Sequence, residues 1–413
     1  MVRPLFIPAP VLYEADMSNI SLSRPIVKLR PGKGRRLRTG APWAFADEIA
    51  MDRRARKHAA GSLVQLVDGT EDLGLAAFNP DSQIAARLLD PDAGTIVDAS
   101  WFEVKLRVAM AMRDTLFDAP FYRLVHAEAD GFPGVVIDRF GDTVVIQPNA
   151  AWIEALLEDL IEAVQSVTGC SNVVVNATSR TRKLEGLEER LEIVRGSVPE
   201  PIEVPMNGAI YLADVTGGQK TGLFYDQRPN HAFVQRLARE GRMLDLFCHV
   251  GGFGLAALAG GAQDVLAIDG SAPALTLAEE GAKRLGVSDR LETRRSDAFD
   301  ALAGLAGESF DVVVCDPPAF APNKNALEAG LRAYQRVARM SAGLVRPGGY
   351  LVLCSCSHAA GVETFHKSNT LGIGKAGRTA ALIHSGRAGP DHPVHLGLPE
   401  TSYLKALVYR VQA

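Results

Sequence analysis

Residues 245–254 read Asp-Leu-Phe-Cys-His-Val-Gly-Gly-Phe-Gly, where an apolar strand (MLDLFC) gives way to a small-residue helix (GFGLAALAG). Glycines at a strand-to-helix turn let backbone amides approach a ligand closely, and in open α/β sheets such turns lie at the carboxyl ends of the strands. Outward from this turn the same alternation repeats: DVLAID then APALTLAEEGAKRLG, RLETRRSD, FDVVVCDPP then NALEAGLRAYQRVARMSAGLV, and YLVLCSCS. Apolar strands followed by amphipathic helices predict a parallel sheet covered on both faces, a doubly wound α/β domain over 201–413.

Upstream, the pattern differs. Residues 1–23 have neither helical nor strand periodicity and read as a flexible arm, with Met17 a second candidate start. Over 24–98, short β-branched runs (PIVKLR, SLVQLVD, DLGLAAF, QIAARLL) between Gly, Pro and Asp predict a small all-β barrel. Residues 99–200 read as an α+β unit. WFEVKLRVAMAMRDTLF is a helix, VVIDRFGDTVVIQP two strands about a Gly-Asp turn, WIEALLEDLIEAVQSVTG one amphipathic helix ended by Gly169, and SNVVVNAT a buried strand.

The whole chain has 413 residues, 47% hydrophobic and 22% charged, with 39 Gly, 23 Pro and a net charge of −4. This excludes collagen-like, disordered and disulfide-scaffold proteins, and the length suits two or three domains. The stretch 246–262 is too short and too Gly-rich to cross a bilayer, and prolines 4, 8 and 10 break any signal-peptide core. Five scattered cysteines suit a reducing compartment, so a cytoplasmic protein is expected. Charge is uneven: residues 24–57 carry a net +8 and the remainder −12. A basic block of this kind is either a polyanion-binding surface or a solvated face.

The residues at the strand ends carry the chemistry. Asp269 ends the second strand, where a carboxylate accepts hydrogen bonds from ribose hydroxyls; both a dinucleotide and other nucleotide-like cofactors want it. Gly252-Phe-Gly254-Leu-Ala-Ala257 formally satisfies the dinucleotide pattern G-x-G-x-x-A. Asp297 follows the third strand and suits either an adenine contact or a helix N-cap. Asp316 ends the fourth strand ahead of two prolines, which hold a stiff exit for which a nicotinamide dehydrogenase has no evident use. In the fifth, period-2 alternation puts Cys354 and Cys356 on one face with Cys356 nearer the ligand edge; Cys354 suits a core position. Neighbouring fourth and fifth strands would set a carboxylate beside a thiol. Cys248, His249, Cys354 and Cys356 lack the paired spacing of a zinc site, and no metal is expected.

Taken together, DLFCHVGGFG, AIDGS, RSDAF, CDPPAF and CSCS resemble the successive motifs of a class I S-adenosylmethionine-dependent methyltransferase. KTGLFYDQRPNH and DHPVH…LPETSYLK resemble a narrower family, the bacterial large-subunit (23S) ribosomal RNA cytosine-C5 methyltransferases with an N-terminal PUA domain. KGRRLRTGAPWAFADEI resembles the opening of that PUA domain, and YRLVHAEADGFPGVVIDRFGD its middle domain. The resemblance covers residues 24–413 and implies a PUA-like RNA-binding domain over 24–98, a middle α+β domain over 99–200, and a Rossmann-like, seven-stranded methyltransferase domain over 201–413.

It further implies S-adenosylmethionine as cofactor. Asp245, Gly251 and Gly252 would line its methionine end, Asp269 would hold the ribose and Asp297 would meet the adenine, with Phe247, Asp316, Lys220, Phe224, Asp226 and Arg228 completing the site. Cytosine C5 is a poor nucleophile, so a thiolate must add to C6 first; Cys356, in Ser355-Cys356-Ser357, is the candidate. A protonated Asp316 would donate to N3, and the base must leave its stack to reach the pocket. Arg30, Lys33, Arg35, Arg36, Arg38 and Trp43 would grip RNA. Expected partners are 23S ribosomal RNA or an assembling large-subunit particle and no membrane, with a homodimer left open. The rivals are a base-nitrogen RNA methyltransferase, a nicotinamide oxidoreductase and a non-catalytic RNA-binding assembly factor. Gly372, Gly374 and Gly377 each weaken a helix after CSCSHAA, leaving its boundary in doubt.

Overall fold

The structure, a computed structural model, describes residues 24–217 and 222–413; the arm expected over 1–23 and the candidate Lys220 lie outside the described residues. Five short strands, Ile26–Lys28, Trp43–Ala44, Ser62–Asp68, Glu71–Phe78 and Ala86–Asp90, make the first sheet. Val27, Val64, Leu66, Ala76 and Phe78 close its small core. A second five-stranded sheet follows (Phe121–His126, Val135–Phe140, Thr143–Pro148, Asn172–Ala177, Arg190–Arg195), with helices Ala99–Leu116 and Leu157–Thr168.

Alternation along this second sheet makes it a shared wall. Val144, Ile146, Val173 and Val175 pack against its own helices. Their neighbours Val145 and Val174 point the other way, into one core with Tyr211, Leu255 and Val312 of the C-terminal part. The predicted single helix from Trp152 is two, Ala151–Glu154 and Leu157–Thr168. Ala151, Trp152 and Ile153 are all buried. Three consecutive buried residues cannot share the stripe that buries Leu160, Ile161 and Val164, so the chain turns between them.

A hairpin, Ile202–Met206 with Ala209–Ala213, turns through Asn207 and Gly208, both left-handed, as a two-residue loop requires. Then comes a seven-stranded sheet: strand one Arg242–Leu246, two Asp264–Asp269, three Leu291–Arg295, four Phe310–Cys315, five Val345–Ser355, six Thr379–Gly386 and seven Lys405–Gln412. Their order is three, two, one, four, five, seven, six, with only strand seven antiparallel to its neighbours. Helices between the parallel strands supply the crossovers, as expected for an α/β sheet buried on both faces.

The doubtful helix is continuous from Val362 to Lys375. A Cβ on Gly372 would lie 2.5 Å from the Gln335 carbonyl oxygen and 2.7 Å from Ala338 Cβ, so this glycine permits close packing on helix Leu327–Ala342. Left-handed Gly377 (φ 71°) follows the helix end.

Buried charge joins the middle unit to the C-terminal part. The Arg113 guanidinium is fully buried and donates to both oxygens of Asp130 (2.6 and 2.8 Å) and to the carbonyls of Arg123 (2.9 Å) and Asp391 (3.0 Å). The Asp391 carboxylate accepts from the Arg123 amide (3.1 Å) and lies 3.0 Å from His392 Nδ1. Removing one partner of such a pair strands the other charge. Arg113→Met is therefore expected to cost about 3–5 kcal/mol in chemical denaturation, with Arg113→Met/Asp130→Leu recovering most of the loss. An unchanged midpoint for the single variant would show that the pair contributes nothing.

Candidate active site

Register fixes which residues meet. Leu246 pairs with Ile268 on one side and Cys315 on the other, and Cys315 pairs with Leu353. The carboxyl ends of strands one, two and four are therefore level. Asp316 falls beside Cys354, and Cys356 lies two residues farther along the exit of strand five. These ends open into a cavity of about 500 Å³ whose walls include Phe224, Asp226, Gln227, His231, Phe247, Gly252, Asp269, Asp316, Cys356 and Tyr403.

The turn after strand one is left-handed at Phe247 (φ 61°), His249 (φ 52°) and Gly251 (φ 82°). Two of these are not glycine, a strain that persists only where the surroundings impose it. One constraint is Asp269, whose Oδ2 accepts from the His249 amide (2.9 Å) and Oδ1 from the Ser271 amide (2.8 Å). Another is Asp245, fully buried, whose Oδ2 accepts from the Gly254 amide (2.8 Å) while Oδ1 has no protein partner. Burial, partly offset by that amide, pushes the Asp245 carboxyl up to about 8. A Cβ on Gly254 would lie 3.0 Å from Val265 Cγ1 and 3.2 Å from Asp245 Oδ2, so this glycine serves helix-on-strand packing.

At the other end of the cavity, Gln227 Nε2 donates to Asp316 Oδ2 (2.8 Å) and orients the carboxyl plane. The two candidate thiols differ sharply. Cys354 belongs to the core, and burial raises its thiol well above the ordinary range. Cys356 is partly exposed and lines the cavity. Its flanking serines are held by Tyr334, whose hydroxyl accepts from Ser355 Oγ (2.9 Å) and lies 2.7 Å from Ser357 Oγ. Ser357 Oγ also accepts from the Ala321 amide (3.0 Å), tying the exit of strand five to the segment after the two prolines.

Several predicted residues lie elsewhere. Asp297 is exposed, is not among the residues lining the cavity, and caps helix Ala298–Gly304 through the amides of Phe299 (2.8 Å) and Asp300 (3.2 Å). Arg228 turns away: its guanidinium stacks on Phe117 (4.2 Å) and donates to the Phe121 carbonyl, joining two units of the chain. Asp245 and Gly251 sit behind the cavity wall, Asp245 holding the turn and Gly251 supplying a left-handed residue before helix Gly252–Ala259. Trp43 Nε1 donates to Glu128 (2.9 Å), and Arg36 and Arg38 pair with Glu48 and with Asp68 and Glu71. Arg30, Lys33 and Arg35 are exposed.

The sequence reading missed Gln227, His231, Tyr334, Tyr403 and Lys405. Tyr403 donates to Asp226 Oδ2 (2.5 Å), and Lys405 Nζ donates to the carbonyls of Ser357 (2.6 Å) and Tyr403 (2.8 Å). These residues lie up to 177 positions from their partners; Gln227 and His231 sit in KTGLFYDQRPNH, Tyr403 and Lys405 in LPETSYLK, and Tyr334 in a stretch that reads only as a helix.

A profile of the S-adenosylmethionine-dependent methyltransferases matches residues 164–410, and a PUA-like domain profile matches 27–91. The chain belongs to the S-adenosylmethionine-dependent methyltransferase family. The methyltransferase is 37% identical over 379 residues to ribosomal RNA large subunit methyltransferase I of Tolumonas auensis, spanning 89% of this chain and 95% of that one. To the protein of the same name from Cronobacter sakazakii it is 34% identical, over 93% and 98% of the two chains. Its fold matches a putative methyltransferase from Streptococcus mutans at a TM-score of 0.79 and 19% identity, covering 94% and 100%. A second putative methyltransferase structure, complexed with SAH, matches at 0.78 and 20%, covering 94% and 99%. Membership excludes the nicotinamide reading of Gly252–Ala257.

S-adenosylmethionine suits the cavity. The volume lies within the range of small-molecule sites. Asp226 Oδ1 and His231 Nδ1 are buried without protein partners, so polar capacity remains in its walls. Burial pushes the His231 imidazolium down to about 3, so the ring is neutral there. Two outcomes follow for binding and stability. Asp269→Ala is expected to weaken S-adenosylmethionine binding about ten- to a hundredfold in calorimetry, the worth of one or two charge-assisted hydrogen bonds. For Asp245 the folded carboxyl titrates above the unfolded one, so the folded state binds more protons between about pH 4 and 8. Its contribution to stability is complete below that window and falls as pH rises through it, by up to about 1.4 kcal/mol per pH unit. Asp245→Asn removes this slope in urea denaturation at pH 5.5 and 7.5; equal slopes in the two proteins would refute the assignment.

Proposed function

We propose that the methyltransferase modifies C5 of a cytosine in large-subunit (23S) ribosomal RNA through a covalent adduct with Cys356. One observation carries this reading: of the two cysteines that line the cavity with Asp316, Cys248 is buried, which raises its thiol well above the ordinary range, whereas Cys356 is partly exposed; Cys170, Cys315 and Cys354 are buried and line no part of it. The large-subunit ribosomal RNA named for the relatives from Tolumonas auensis and Cronobacter sakazakii supplies the substrate class. A carboxyl group and a prolyl exit alone would also suit a base-nitrogen methyltransferase, which needs no thiol at the site.

The chain's residues divide the work. Cys356 Sγ adds to C6, which raises electron density at C5. Asp316, as a neutral acid with one oxygen held by Gln227, donates to N3 and stabilises the charge that addition creates on the ring. S-adenosylmethionine supplies an electrophilic methyl group. Loss of the C5 proton then lets the sulfur leave with its electron pair, regenerating the enzyme. Arg30, Lys33 and Arg35 of the N-terminal module (24–98) grip RNA phosphates, while the middle unit (99–200) sets that module's position relative to the catalytic domain (201–413). A ribosomal RNA substrate supports a reaction in the cytoplasm; among the described residues no helix is long and apolar enough to cross a membrane.

Transfer of labelled methyl to unmodified large-subunit ribosomal RNA, read by nucleoside mass spectrometry, tests the proposal. The expected product is 5-methylcytidine, with Cys356→Ala reducing turnover at least about a thousandfold and Cys354→Ala retaining it. Label in guanosine or adenosine, or an active Cys356→Ala variant, would overturn it.

A further inference from the structure

Strand seven runs antiparallel to strand five, and Lys405 pairs with Ser355. The first residue of strand seven thus meets the last residue of strand five, next to Cys356. Lys405 is 7% exposed, an uncommon place for an ammonium group. Nζ donates to the carbonyl of Ser357, the residue after Cys356, and to that of Tyr403. An ammonium has three N–H donors, so one remains beyond these two carbonyls. Among the described residues, no carboxylate pairs with Nζ within ion-pair distance.

We propose that Lys405 is the counter-ion that holds Cys356 as a thiolate. Ionisation breaks the S–H bond, leaves the electron pair on sulfur and passes the proton to water; Lys405 stays protonated throughout. The groups that interact electrostatically with Cys356 from the surrounding elements include Tyr334 on helix Leu327–Ala342, Tyr403 before strand seven, and Lys405 itself, and Asp226, His231, His249 and Asp269 line the same cavity. Asp316 shares the cavity after strand four. Among these Lys405 is the cation, and the others are neutral or anionic groups that do not stabilise a thiolate by charge. Burial draws the Lys405 ammonium down to about 8, and attraction to Cys356 opposes part of that fall. A nucleophilic cysteine needs such a partner, because the thiolate is the attacking species.

This deepens the role proposed for Cys356, but the ionisation can be read without RNA or cofactor. The measurement is the rate of iodoacetamide alkylation of the full chain against pH, with the Cys356 peptide quantified by mass spectrometry. The other four cysteines are buried, and Cys248, the one that also lines the cavity, has its thiol raised well above the ordinary range, which favours labelling at Cys356. Cys356 is expected to titrate at least a unit below the ordinary cysteine value of about 8.5. Lys405→Met is expected to move that midpoint up by a unit or more and to slow alkylation at pH 7 about tenfold; Lys405→Arg keeps most of the shift. A wild-type midpoint at 8.5 or above overturns the proposal even if Lys405→Met fails to fold. So does a folded Lys405→Met variant with the wild-type profile, which would leave Lys405 a purely structural tie. Methyl transfer that survives Cys356→Ala would defeat the nucleophile role and leave the titration result standing.

Discussion

The pairing of Phe310–Cys315 with Val345–Ser355 is the constraint on which the rest of the site depends. Val312, Val313 and Val314 face Tyr350, Leu351 and Val352 across it, and five of these six are fully buried. Because a one-residue slip would turn every side chain to the opposite face, burial on both sides holds the register firmly. From it follow the position of Asp316 beside Cys354, the placing of Cys356 in the cavity, and the seat of Lys405 across strand seven. Chemistry at the sheet edge is thus governed by apolar residues that touch no substrate.

Around that edge the polar groups fall into two classes. Some serve the fold first: Asp269 accepts one backbone amide at each oxygen, which leaves lone pairs for a ligand, and the Ser355–Tyr334–Ser357 hydroxyls brace the turn that carries the thiol. Others keep capacity, as Asp226 Oδ1 and His231 Nδ1 do in the cavity walls. Buried polar atoms without partners are uncommon in proteins, and their gathering beside a cavity matches a site shaped for a polar cofactor.

The modules are joined by charge as much as by apolar contact. Arg113 reaches the loop after strand six, Arg228 stacks on Phe117 of the middle unit, and Arg87 pairs with both Glu128 and Glu185. Cations that look available in a sequence are therefore partly spent. Arg36 and Arg38 pair with carboxylates and Trp43 donates to Glu128, whereas Arg30 donates to the Ile49 carbonyl (3.1 Å) and, with Lys33 and Arg35, stays exposed.

By itself the sequence determined the α/β class, the strand-end position of Asp269, Asp316 and Cys356, and the all-β character of the first module. These depend on local periodicity and on glycine and proline punctuation, which act over a few residues. It could not separate an adenine ligand from a helix cap at Asp297, because both use a carboxylate after a strand. Nor did it show that the helix from Trp152 must break, since its periodicity matched an unbroken helix until the packing of Trp152 and Ile153 was known. Only the tertiary structure decided that Arg228 faces the middle unit, that Gly372 serves a helix contact, and that Gln227, Tyr334, Tyr403 and Lys405 converge on the two candidate catalytic groups. Those contacts join residues 21 to 177 positions apart, and their partners are set by sheet order and register, which no local signal encodes.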